Sequence, residues 1–112
     1  MIDLNELSKE AYIIAKKREK NGANIKTEPM PMLKHCATEV IEATEACYNY
    51  ADTLYSDDET LDKCREDFEN EIADIIVCCL IISGYLKIDI EKALNRVMEK
   101  NRLRAEKMGD KL

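Results

Sequence analysis

Apolar positions recur at steps of three and four along most of this chain, the spacing of helices that each bury one face. The sharpest series is Leu61, Cys64, Phe68, Ile72, Ile75, Cys79, Ile82 and Leu86. It predicts a helix over 58–84, capped by Ser56 or Asp57 and ended by Ser83-Gly84. From Ile75 to Ile82 the run IIVCCLII is apolar on every side, which predicts burial all round, in the core or under a partner subunit. A second series, Leu33, Ala37, Val40, Thr44, Cys47, Ala51 and Leu54, predicts a helix from Pro31, a favoured first-turn residue, to about Leu54. Leu4, Leu7, Ala11, Ile14 and Ala15 mark a helix over 3–20 with Asp3 or Asn5 as its cap. Ala93, Leu94, Val97, Met98 and Leu103 mark the inward face of another over 90–107, capped by Asp89, and the tail after Gly109 is expected to fray. Between the first two helices, NGANIKTEPMP reads as a loop. The expected fold is all-α, a four-helix bundle forming one domain over residues 1–112.

Composition narrows the partners. Three Gly and two Pro in 112 residues leave few breaks, and one Phe with no Trp leaves the packing to Ile, Leu, Val, Met and Cys. A net charge of −6 argues against a nucleic-acid polymer, whose phosphates call for a Lys/Arg surface, but not against a single nucleotide held through metal ions. No apolar stretch is long enough for a membrane span, and the N-terminus does not read as a signal peptide. Five cysteines without a CxxC pair or zinc-ligand spacing read as reduced thiols packed as small hydrophobes, the usage of a cytoplasmic protein.

Candidate chemistry lies in two acid pairs. Glu39 and Glu42 are three apart, as are Glu71 and Asp74, so each pair shares a helix face beside an apolar stripe. If their helices pack antiparallel, four carboxylates converge at one edge of the seam. Such a set repels itself in a partly dry site unless protons or a cation relieve it, and Mg²⁺ takes oxygen ligands of this kind. Acids at this spacing are also common on solvated faces, so the pattern leaves both readings open. The acids at 57–59, 62, 66, 67 and 69 read as the solvated start of their helix. Lys16, Lys17, Arg18 and Lys20 read as a cationic helix end, or as a positive rim near an anionic ligand.

The acid motifs in this order, with LKHCATEVIEATEA (33–46), FENEIADIIVCCLIISGYLKIDIEKAL (68–94) and EKNRLRAEK (99–107), resemble the MazG-like all-α nucleotide pyrophosphohydrolases over about half of the chain. The resemblance implies Mg²⁺-dependent hydrolysis of a ribo- or deoxyribonucleoside triphosphate between the α and β phosphorus atoms, with Mn²⁺ as a substitute. It implies that Glu39, Glu42, Glu71 and Asp74 are metal ligands and catalytic groups. Lys100, Asn101 and Arg104 would contact the substrate. By its own position, four residues before Glu39 on the same face, His35 reads either as lining the pocket or as a satisfied surface residue. The resemblance also implies a homodimer or homotetramer with helices packing across subunits. Two other readings stand beside it: a relative that hydrolyses phosphoribosyl-ATP, and a helical interaction module without activity. A di-iron bundle is disfavoured, since it wants two Glu-x-x-His sets and His35 is the one histidine.

Overall fold

A computed structural model describes residues 2–109. Among them are four helices and no strand: α1 (Leu4–Lys20), α2 (Pro29–Asp52), α3 (Asp58–Leu86) and α4 (Ile90–Lys107). The chain end expected to fray after Gly109 lies outside the described residues. Local chemistry sets most of the boundaries. The Asp3 carboxylate accepts the N–H groups of Asn5 and Glu6, Asp57 accepts that of Thr60, and Asp89 accepts that of Lys92. The second helix begins two residues earlier than expected. Pro29 and Pro31 both fit its first turn, where backbone N–H groups have no intrahelical partner to lose. Its entry is pinned from outside: Thr27, fully buried, donates its N–H and hydroxyl to Glu19 of α1.

The third helix runs through Ser83-Gly84 to Leu86, past its expected end, and stops where Lys87 adopts a left-handed backbone (φ 55°) and Ile88 N–H reaches back to Ser83 O. Gly84 serves a different purpose. A Cβ there would lie 2.5 Å from the Ser8 carbonyl oxygen and 2.7 Å from Tyr12 Cβ, so its bare Cα lets α1 press against α3. Beside it the Ser8 hydroxyl donates to Leu80 O at 2.7 Å, and Tyr12 meets Tyr85 edge to face at 5.7 Å.

The α2–α3 hairpin is the body of the molecule, and α1 packs along α3. The core is small: Ala15, Met32, Cys78 and Ile81, with Tyr12, Ile25, Cys36 and Ile82 around it. The inward stripe of α2 is not the expected one. It runs through Met32, Cys36, Glu39, Ala43, Ala46 and Tyr50, while Leu33, Val40 and Cys47, each one residue further on, are exposed. On α3 the packed positions are Cys64, Phe68, Glu71, Ile75 and Cys78, whereas Ile72, Ile76 and Cys79 face outward. Within one chain the 75–82 run is therefore covered on one side and bare on the other. The last helix departs furthest from expectation. Leu94, Val97, Met98 and Leu103 are all exposed, no α4 residue is buried, and the helix packs against α1.

What holds α4 is at its start. Asn5 Oδ1 accepts the N–H groups of Ile90 and Glu91, Asn5 Nδ2 donates to Asp89, and Glu91 accepts Leu4 N–H. The first turns of α1 and α4 thus cap each other.

Candidate functional site

Packing the hairpin along the Met32–Tyr50 stripe brings acids from both helices together. Glu39 and Glu42 from α2 and Glu71 from α3 each offer a carboxylate oxygen within 4.8 Å of the others. The inward stripe passes through Glu39 and Glu71 themselves rather than beside them, so these two are half-buried while Glu42 reaches solvent. Glu39 Oε2 and Glu71 Oε2 are buried without a hydrogen-bond partner among the described residues. A buried carboxylate oxygen left unpaired is costly, and here two of them sit in one acid cluster.

Electrostatics follow the geometry. Burial, then the charge of Glu42, pushes the Glu39 carboxyl above its ordinary value, and His35 partly offsets this from 3.1 Å (Nε2 to Oε1). Burial, then the charges of Glu42 and Asp74, pushes Glu71 up as well. Both shifts mark a site that favours protons or a cation.

Two clefts flank the cluster on the same side of the hairpin. One, of about 380 Å³, is polar, lined by Glu42, Glu45, Asn49, Asp67, Asn70 and Glu71. The other, of about 290 Å³, has an apolar floor including Met32, Val77 and Ile81, with Glu39, Asp74, His35, Arg18 and Asn24 around it. Asp74 thus stands outside the close triad but shares a cleft with Glu39. His35 lies beside Glu39 and borders this second cleft.

Lys100, Asn101 and Arg104 are on the exposed surface of α4. Lys100 and Arg104 line a separate groove with Arg96, Leu103 and Lys107, which holds none of the four acids. Within one chain the cationic helix and the acid cluster are not brought together. Several cleft-lining residues were not anticipated in these positions. Asp67, read as part of a solvated helix start, is one turn before Glu71 and faces the acid cleft, and Asn70 and Asn49 join it there. Asn24 comes from the loop. Arg18, from the cationic end of α1, borders the second cleft beside Glu39 and Asp74, in keeping with the positive-rim reading.

Comparison with protein-family models, curated proteins and solved structures finds no match for this chain. Among the described residues no helix is long and apolar enough to cross a membrane.

Proposed function

We propose that the chain is a Mg²⁺-dependent nucleoside triphosphate pyrophosphohydrolase of MazG-like type, releasing a monophosphate and pyrophosphate. The observation that carries this reading is the Glu39–Glu42–Glu71 cluster with its two orphaned buried oxygens. The donor set is all carboxylate oxygen, which suits Mg²⁺ or Mn²⁺, and water in the adjoining cleft can complete the coordination. Bound there, the ion would supply charge neutralisation for a polyphosphate and a more acidic water.

The chain's own residues take the remaining roles. Glu39, Glu42 and Glu71 hold the cation, and Asp74 completes the ligand set from the second cleft. One of these four carboxylates also accepts the proton of the attacking water. His35, in contact with Glu39, orients that carboxylate and borders the substrate. Lys100, Asn101 and Arg104 meet the phosphates and sugar once α4 is brought to an acid cluster, which fits a homodimer or homotetramer. Five free cysteines accord with a cytoplasmic setting.

The test is pyrophosphate release from a panel of ribo- and deoxyribonucleoside triphosphates and phosphoribosyl-ATP, with Mg²⁺, Mn²⁺ or EDTA. Metal-dependent release, lost in Glu42→Gln, Glu71→Gln and Asp74→Asn, is the expected result. No release from any substrate, together with no heat of Mg²⁺ binding, would sink the proposal and leave a helical interaction module.

A further inference from the structure

Between α1 and the link that joins α3 to α4 lies a cleft of about 570 Å³, larger than either cleft at the acids. None of Glu39, Glu42, Glu71 and Asp74 lines it. Its volume falls in the range of small-molecule sites, about 300–1,000 Å³. Tyr12, Ile13 and Ile88 supply an apolar surface, with the bare backbone of Gly84 beside them. Ile13 is 51% and Ile88 41% exposed, so much of this surface meets solvent.

Most polar groups of the lining already have partners. The Ser8 hydroxyl donates to Leu80 O, and the Ser83 hydroxyl donates to Cys79 O. Asn5 Oδ1 accepts the N–H groups of Ile90 and Glu91, and Asn5 Nδ2 donates to Asp89, whose carboxylate also accepts Lys92 N–H. Two ammonium groups remain. Lys9 is held only by an exposed pair with Glu6 at 3.1 Å, of a kind worth little in water. Lys87 has no acidic partner among the described residues. It is also the one non-glycine residue among them with a positive φ, 55°. Glycine is the usual occupant of this place after a helix, and a lysine there accepts backbone strain. What the lysine brings is a cation at the rim of an apolar cleft, in a chain whose net charge is −6.

We infer that this cleft binds a small aromatic monoanion, an apolar ring system bearing a single carboxylate or sulfonate. The rings cover Tyr12, Ile13 and Ile88, and the anionic group meets Lys87 and Lys9. A neutral apolar molecule leaves both ammonium groups unanswered. A polyanion carries more charge than two exposed lysines can match, and sets it near the Asp89 carboxylate. The occupant touches Asn5 and the Lys87–Asp89 link, so it bears on the seat of α4 and not on the acid cluster. The inference rests on this cleft and is independent of the reaction proposed above.

Anilinonaphthalene sulfonate is the probe, and phenylnaphthylamine, the same ring system without the sulfonate, is its uncharged counterpart. Fluorescence titration of the full chain at low salt reads affinity, and amide NMR spectra of the complex read the place. The expected result is one saturable site per chain for the sulfonate, with shifts concentrated at the amides of Tyr12, Ile13, Gly84, Lys87 and Ile88. The uncharged dye should bind at least about fivefold more weakly, and added salt should narrow that gap. Lys87→Asn keeps a residue that tolerates the left-handed backbone; it should weaken the sulfonate by roughly threefold to tenfold and leave the uncharged dye unchanged. Ile13→Ser should weaken both dyes. Far-ultraviolet circular dichroism checks the fold of each variant, and Lys9→Gln repeats the charge test should Lys87→Asn lose helicity. Three results would each overturn the inference. The first is no saturable binding, and the second is shifts that fall at the acid clefts or on the exposed Leu33–Val40 side of α2 instead. The third is equal affinity for the two dyes with no effect of removing either lysine.

Discussion

Replacing Gly84 by alanine sets two effects against each other in one helix. Helix propensity favours alanine over glycine by about 1 kcal/mol in an interior turn. Tertiary contact opposes it. The new methyl would lie 2.5 Å from the Ser8 carbonyl oxygen and 2.7 Å from Tyr12 Cβ, and the first of these is backbone, which cannot rotate away. Restoring ordinary van der Waals distance moves α1 out by roughly 0.9 Å. That motion stretches the bond from the Ser8 hydroxyl to Leu80 O, now 2.7 Å, which is worth about 1 kcal/mol. It also loosens the Tyr12–Tyr85 contact. Overpacking of this kind costs about 1–3 kcal/mol beyond such losses. The net expectation is a destabilisation of about 1–3 kcal/mol despite the better helix former. At several degrees per kcal/mol for a domain of this size, Tm should fall by about 4–15 °C. Thermal melts by circular dichroism at one fixed protein concentration measure it, with urea midpoints as a second probe. A Tm equal to or above wild type would show that α1 does not sit against α3 as described.

Other outcomes follow from the acid cluster and the caps. Glu39→Gln removes a repelling charge, so the metal-free protein should melt higher than wild type, while the Tm gain from added Mg²⁺ should shrink. A lower metal-free Tm with that gain intact would contradict the cluster. Glu39 and Glu71 bind protons more tightly folded than unfolded, so the stability they contribute is whole below their ordinary value of 4.5 and is lost as pH rises through their folded values. The EDTA-treated protein should therefore melt lower at about pH 7 than at about pH 5, with Mg²⁺ flattening the slope. At lower pH the sign reverses, because Glu19 (bonded to Lys16), Asp57 (to Thr60 N–H) and Asp89 (to Asn5) are held below their ordinary values, and their contribution is lost as pH falls through the folded values. Asn5→Ala removes three hydrogen bonds at the α1–α4 junction, costs about 1–2 kcal/mol, and should raise the Asp89 pKa. Amide exchange in Ile90 and Glu91, compared with wild type, would show it.

The helices were legible because periodicity and caps are local: Asp3, Asp57 and Asp89 each announce a start that the backbone then takes. The three close acids were legible from spacing. Which face of each helix turns inward was not. On α2 the series Leu33–Val40–Cys47 is more apolar than the stripe that packs, which carries Glu39 and small residues, so hydrophobicity alone selects the wrong side. An apolar face reads the same in sequence whether its neighbour is its own chain or another molecule. Fixing the inward stripe required the partner helix, and with it came Asp67 and Asn70, whose place at the cleft depends on register across the seam. Arg18 borders the second cleft because α1 packs along α3, and Asn24 comes from the loop that follows α1; no spacing encodes either arrangement.

The junction of α1 and α4 has a mechanical side. The last helix is fastened by its first turn and is 18 residues, about 27 Å, long from that fastened end. A tilt of about 10° at Asn5 and Asp89 carries its far end through roughly 5 Å, by the same rise per residue. Lys100 and Arg104 ride on that arm. Small adjustments among a few polar groups at the opening turn of the chain are thereby multiplied into the placement of two positive charges. The reach of this cationic arm is set at its pivot, far from the carboxylates.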